Sequence, residues 1–332
     1  MTDQRLAAQG MPRESLLPSY DDLPEAPRGG RSAWGLFGSQ DSVGLLNVLT
    51  PSHAVAAAQL VELGEVFPLD ARLDFYDPPM FGRTPFGVDT QVNPTGRSIN
   101  DIYERWDPQA SSQWDGLGHF GYDEGVFYNG ATVEDILVRG RNTIGHWAQR
   151  GIAARGVLVD VYQDAQERGK GYCPGSPHVI TVPDLTLAME AQGVSLREGD
   201  ILLIRTGFTE WYEAATPAER RNFVHLPDAM ACGLEHSEDM ARFLWNTHVV
   251  AVASDAPAVE VMPADPAPSA FPFGILHRVL IGLFGMPLGE LWHLERLAQR
   301  CHELGRFEFL LTSAPLHAPG AVGSPANALA IL

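Results

Sequence analysis

The chain has 332 residues, a formal net charge of −18 and three cysteines. That charge excludes a broad basic face for nucleic acid or an anionic membrane, since both need clustered Lys and Arg. Cys173, Cys232 and Cys301 are scattered and odd in number, which excludes a disulfide framework or a thiolate zinc site, and no run reaches the ~18 apolar residues of a spanning helix. Because the start also lacks a secretory apolar stretch, the expectation is a soluble cytoplasmic protein with a sizeable core.

In chain order, residues 1–33 are rich in Pro, Gly, Arg and acidic residues and predict an extended arm, laid on a neighbour or disordered. Residues 34–332 form the packed part. Thr50-Pro51 reads as an N-cap with proline at the first helical position, opening a helix through Leu63 that Gly64 stops. Glu65 to Phe75 alternates as a strand, with Pro68 favouring an edge. Residues 76–108 carry too many prolines and glycines for a long element and predict a loop forming a pocket wall. Phe81, Phe86, Tyr103 and Trp106 would line that wall or merely pin the loop to the core.

Gln109-Ala-Ser-Ser-Gln113-Trp-Asp115-Gly-Leu-Gly-His119-Phe120 is the stretch densest in chemistry. Asp115 offers a hard anionic oxygen, and His119 a nitrogen that binds a metal or carries a proton near neutral pH. Gly116 and Gly118 would let backbone pass close to a bound group. Trp114 and the aromatics before it point to a flat or cyclic organic acid or amide. Further on, Thr132 caps a short helix, Gly156–Asp160 reads as a buried strand and Thr181 caps a helix ended by Gly193. Gly199–Phe208 and Val249–Asp255 are further buried strands, the second preceded by a helical stretch from Leu234 to Trp245. Phe307–Thr312 is a terminal strand. Helix and strand in repeated succession argue α/β. His277 lies in an apolar run, where a satisfied core histidine and a ligand are both open readings. His146, His225 and His236 receive no role. Gly116-x-Gly118-x-x-Gly121 has neither a leading apolar strand nor a following helix, so the dinucleotide reading lacks its context, and no phosphate loop or nucleophile elbow is present.

The central stretch resembles the signature of the cyclase family, which includes bacterial kynurenine formamidases and isatin hydrolase-like amidases. Their motif reads H-x3-H-x-D-x3-H. Asp115, His119 and Phe120 match it, whereas Gln109 and Gln113 stand where the two leading histidines would be and Leu117 where a proline would be. Gly199–Gly207 is similar to the family's P-G-D-x-V-L-I-R-T-G, and Ser254–Glu260 to its D-T-P-S-V-D. His277 and Glu290 follow its later His and Glu, with His293 and Glu295 as nearby competitors for the acidic or ligand role. Ala314–Asn327 resembles its closing segment. The resemblance runs from about Trp34 to the C-terminus. It implies a single domain of the swivelling β/β/α type with a mixed sheet core, assembled as a homodimer or homotetramer.

It also implies hydrolysis of an amide, formamide or lactone, with a divalent metal activating water and a histidine moving the proton. Glutamine is a poor exchange for imidazole on zinc or manganese, so the surviving set is Asp115, His119, His277 and Glu290, able to hold one ion. His119, Asp115 and Glu290 are the expected catalytic residues. Gln109, Gln113, Trp114, Phe81 and Arg205 are the expected substrate contacts, Arg205 positioning an anion or sitting in an ion pair under a loop. Two alternatives stand beside this. One is a metal-free cyclase, lactonase or lyase using His119 as general base. The other is a small-molecule binding protein that kept the fold without the chemistry.

Overall fold

The computed structural model describes residues 17–332. Its strands, in chain order, are β1 (Val66–Pro68), a hairpin of β2 (Val88–Val92) and β3 (Ile99–Tyr103), β4 (Gln113–Asp115), β5 (Ile152–Asp160), β6 (Val179–Ile180), β7 (Ile201–Arg205), β8 (Gly233–Leu234), β9 (Ala251–Ser254), β10 (Leu288–Glu290), β11 (Glu308–Ser313), β12 (Gly323–Pro325) and β13 (Ala328–Ile331). Nine of them make one sheet in the order β1-β13-β11-β5-β7-β9-β10-β4-β12. The central β5, β7, β9 and β10 are mutually parallel, with antiparallel neighbours on both sides.

The sheet is curled. β12 is one edge and β13 lies next to the other, yet only Ala326 and Asn327 separate them, a step of at most about 11 Å. Trp114 Nε1 on β4 donates to Ser313 Oγ on β11 at 2.9 Å. Those strands are five places apart, about 24 Å across a flat sheet, so the bond crosses the inside of the curl. Trp114, Trp147 and Trp292 meet edge to face in that interior, with ring centroids 6.5 and 4.8 Å from Trp114.

The local signals act as their chemistry dictates. Thr132 and Thr181 close capping boxes with Asp135 and Asp184. Thr50 closes one with His53, though its helix, Pro51–Ala58, ends well before Gly64. The strand expected over residues 65–75 is only β1, at the sheet edge where Pro68 needs no ladder donor, and the chain then turns inward so that Leu69 O accepts from His293 N at 2.8 Å. The stretch expected as an extended arm is, from Leu17 onward, laid on the chain's own core. Tyr20 is fully buried, its N–H donates to Asn246 Oδ1 at 2.8 Å, and Trp245 Nε1 donates to Pro18 O at 2.8 Å. Residues 1–16 of that stretch lie outside the described residues. Among the described residues no helix is long and apolar enough to cross a membrane.

Candidate active site

Strand alternation builds the site. In β4, Gln113 and Asp115 face one side and Trp114 the other, so the expected substrate contact Trp114 is instead a core side chain. The antiparallel register sets Glu290 of β10 opposite Gln113, and Gln113 Nε2 donates to Glu290 Oε2 at 2.7 Å. After Asp115 the chain turns back, with His119 N donating to Gly116 O at 2.9 Å, which brings His119 Nε2 to 3.7 Å from Asp115 Oδ1. Gly116 and Gly118 serve a different approach from the one expected. A Cβ on either would lie 2.7 or 2.9 Å from Val322, so they admit the neighbouring chain and not a bound group. Gly323 likewise leaves room for the Gln109 amide, which reaches to 3.5 Å from His119 Nδ1.

His277 opens the short helix Leu276–Leu280. Its Nε2 lies 3.0 Å from Glu290 Oε1 and 3.8 Å from Asp115 Oδ2, while its Nδ1 contacts Glu260 Oε1 at 2.5 Å. The Glu260 carboxylate also accepts the Leu276 and His277 backbone N–H groups, covering the start of this helix, and His236 Nε2 stands 3.2 Å from Glu260 Oε2. The sequence gives His236 no role and has Glu260 only as the last residue of the Ser254–Glu260 segment. The available signal was an acidic residue between Val259 and Val261, where a carboxylate is buried only with partners.

Asp115, His277 and Glu290 are all buried and offer ligand atoms within 4.8 Å of one another. Both Asp115 oxygens and Gln113 Oε1 are buried with no hydrogen-bond partner among the described residues. Two carboxylates and one imidazole, with orphaned oxygens beside them, are a donor set that could hold one divalent cation. His119 stands outside this trio at the cavity wall. Burial pushes the Asp115 carboxyl up, but the charges of His119 and His277 prevail and hold it below the usual range. Burial and the charge of Asp115 push Glu290 up. Burial opposes charge on His277, yet Glu260, Asp115 and Glu290 together hold its ring well above the ordinary imidazole value.

His277, Glu290 and Glu260 floor a cavity of about 270 Å³, with Asp115 buried behind them, and its walls are Phe81, Phe120, Leu226, Met262 and Ile275, with Arg83 and His119 among the polar lining. Of the four loop aromatics only Phe81 reaches it. Phe86 packs on Tyr103 and Trp106, with ring centroids at 5.2 and 5.7 Å. Arg205 is also elsewhere, paired with Asp160 at 3.2 Å and Glu210 at 2.5 Å, because β7 ends beside β5 and not beside the cavity. His293 Nδ1 and Glu295 Oε2 lie 3.4 Å from each other, and neither residue lines the cavity, which leaves Glu290 as the acid beside His277.

No curated protein sequence matches the chain. Among solved structures, one described as a novel cyclase shares 32% identity over 91% of this chain and 99% of its own, with a TM-score of 0.77. Isatin hydrolase A from Ralstonia solanacearum shares 17% identity over 85% of this chain and 97% of its own, with a TM-score of 0.58. Isatin hydrolase A from Labrenzia aggregata, bound to benzyl benzoate, shares 15% over 82% and 94%, with a TM-score of 0.56. At these lower identities the likeness is one of fold. The Cyclase family model matches residues 67–261, more than half of the sequence, and the chain belongs to the cyclase family.

Proposed function

We propose that the chain is a hydrolase acting on an amide, formamide or lactone bond of a small cyclic or aromatic acid. Asp115, His277 and Glu290 would hold one divalent metal, zinc or manganese, and His119 would move the proton. The observation that carries this reading is Asp115, fully buried with both oxygens unpartnered and facing a histidine and a second carboxylate. A cation held there supplies Lewis acidity toward a carbonyl oxygen and toward water. The chain does the rest. Gln113 fixes the Glu290 carboxylate, Glu260 selects the His277 tautomer that leaves Nε2 free toward Asp115 and Glu290, and the apolar walls give a substrate body a surface to pack on. His119, less buried than the trio and in reach of Gln109 and Asp115, accepts a proton from the attacking water and returns it to the leaving nitrogen or oxygen.

A metal-free reading has its own support. His277 already closes hydrogen bonds to Glu260 and Glu290, so an imidazolium can stand where a cation would. The two part on one experiment, in which protein purified without chelator is assayed for metal and for turnover of aromatic formamides, cyclic amides and lactones. Asp115→Ala and His277→Ala lose the metal and the turnover, while His119→Ala keeps the metal and loses turnover. Unchanged metal content in both ligand variants removes the metal site. Turnover that survives exhaustive chelation yet vanishes in His119→Ala makes the metal-free reading correct, and a ligand that binds but is never altered under any metal makes the chain a binding protein. As regards setting, we infer a cytoplasmic homodimer or homotetramer. Three unpaired cysteines and the exposed face of Val88, Val92, Ile99 and Tyr103 on the hairpin support it, and light scattering tests the assembly.

A further inference from the structure

We propose that Arg83 anchors a carboxylate, so that the substrate is an apolar, ring-sized organic anion. This rests on the hydrolase reading for the reaction, but the anchor is a binding property with its own test. Among the described residues Arg83 is the one Arg or Lys lining the cavity. It has no carboxylate within ion-pair reach there, in contrast to Arg155, which pairs with Asp200 at 2.7 Å and Glu308 at 2.6 Å. Its Nη1 donates to Gln109 O, and its guanidinium carbon lies 5.1 Å from the Phe81 ring centroid. The side chain is therefore oriented at one corner and over one face, while its Nη2 and Nε hydrogens have no protein acceptor among the described residues. A guanidinium fixed in this way, with one edge open into a cavity, fits the fork of a carboxylate.

The charge balance makes such an anchor necessary for any anion to bind here. Asp115, Glu260 and Glu290 bring three negative charges at and just behind the floor, and a divalent cation with neutral His277 would leave that end of the cavity net negative. An anionic substrate would be rejected there unless a positive group faced it, and Arg83 is that group. The remaining wall, from Phe81, Phe120, Met262 and Ile275, takes an apolar body. Gln109 ties the anchor to the proton-moving residue, with its carbonyl on Arg83 and its amide beside His119, so the head group and the reacting bond would be held at a set separation.

The test titrates 2-naphthoate and its uncharged counterpart 2-naphthamide into zinc-loaded and EDTA-stripped protein by calorimetry, for wild type, Arg83→Gln and Arg83→Lys. We expect Arg83→Gln to weaken naphthoate about tenfold or more, Arg83→Lys to fall between, and naphthamide to hold within about twofold, which also reports that the cavity is intact. The anchor is overturned if neither probe binds wild type, if both probes respond alike, or if naphthoate ignores Arg83. Naphthoate that ignores Arg83 and is lost on stripping zinc places the anion on the metal and leaves the hydrolase reading standing. An Arg83-dependent naphthoate site in a protein that turns over nothing does the reverse.

Discussion

Glu260 is the residue whose replacement separates a placed imidazole from a loose one. It is 3% exposed and accepts two backbone N–H groups and the ring of His277, with His236 on its other oxygen. Burial pushes its carboxyl up, but the charges of His277 and His236 and the hydrogen bond to the His277 ring prevail and hold it at about 2. Measured from 4.5, that depression corresponds to about 3 kcal/mol. Since the folded value is the lower one, this stability is present above pH ~4.5 and is lost as the pH falls toward 2. Glu260→Ala also leaves the ring and backbone donors unpaired, so its cost in metal-free urea unfolding at pH 7 is about 3–5 kcal/mol. Glu260→Gln keeps one acceptor and loses the charge, for roughly half that cost. With the ring free to turn, zinc or manganese affinity by calorimetry drops about 10- to 100-fold in Glu260→Gln. Wild-type metal affinity in Glu260→Gln together with a cost below about 1 kcal/mol in Glu260→Ala would refute the assignment.

Two other variants probe charges away from the cavity. Burial and the nearby Asp255 push Glu295 up to about 8. A raised carboxyl gives stability that is fully present below pH ~4.5 and is lost as pH rises through about 8, so Glu295→Gln should match wild type in urea unfolding at pH 5 and exceed it by a few kcal/mol at pH 9. Equal pH dependence in the two would show that Glu295 is not proton-bearing. Arg205→Met breaks the buried pair with Asp160 and should cost about 3–5 kcal/mol in urea unfolding while metal stoichiometry and naphthoate affinity stay at wild-type values. A loss of naphthoate affinity in that variant would return Arg205 to the substrate side.

What could be read from sequence follows from the range of each interaction. Thr132 and Thr181 act on their own third neighbour, and the buried strands are marked by their own apolar runs, so both are visible in a short window. The meeting of Asp115, His277 and Glu290 is legible only through the family resemblance, in which each sits in a motif with order and spacing. Trp114 goes to the core for a local reason, since alternation in Gln113-Trp114-Asp115 sends it to the face opposite its polar neighbours. Arg205, Glu260 and Arg83 were not legible in the same way. Their roles depend on partners 45, 17 and 26 residues away, Asp160, His277 and Gln109, and only the sheet order and the path of the 76–108 loop decide those meetings.

The two glutamines at the leading motif positions carry the last argument. Read as letters, Gln113 is a histidine ligand lost. In the fold its amide is divided, the nitrogen donating to Glu290 at 2.7 Å and the oxygen buried without a hydrogen-bond partner, as both Asp115 oxygens are. Were the Gln113 oxygen to join Asp115, His277 and Glu290, the cluster would trade an imidazole for an amide oxygen and be a set of hard donors with one nitrogen, His277. Such a set favours manganese relative to zinc more than an imidazole-rich one does, whatever the absolute affinities. Gln113→His should thus raise the zinc-to-manganese preference by about tenfold in competition dialysis, because it adds a borderline-soft donor and releases Glu290 from its amide partner. A preference unchanged by that substitution would mean that the Gln113 oxygen faces no ion, and the trio of Asp115, His277 and Glu290 would have to hold the cation with water completing the shell.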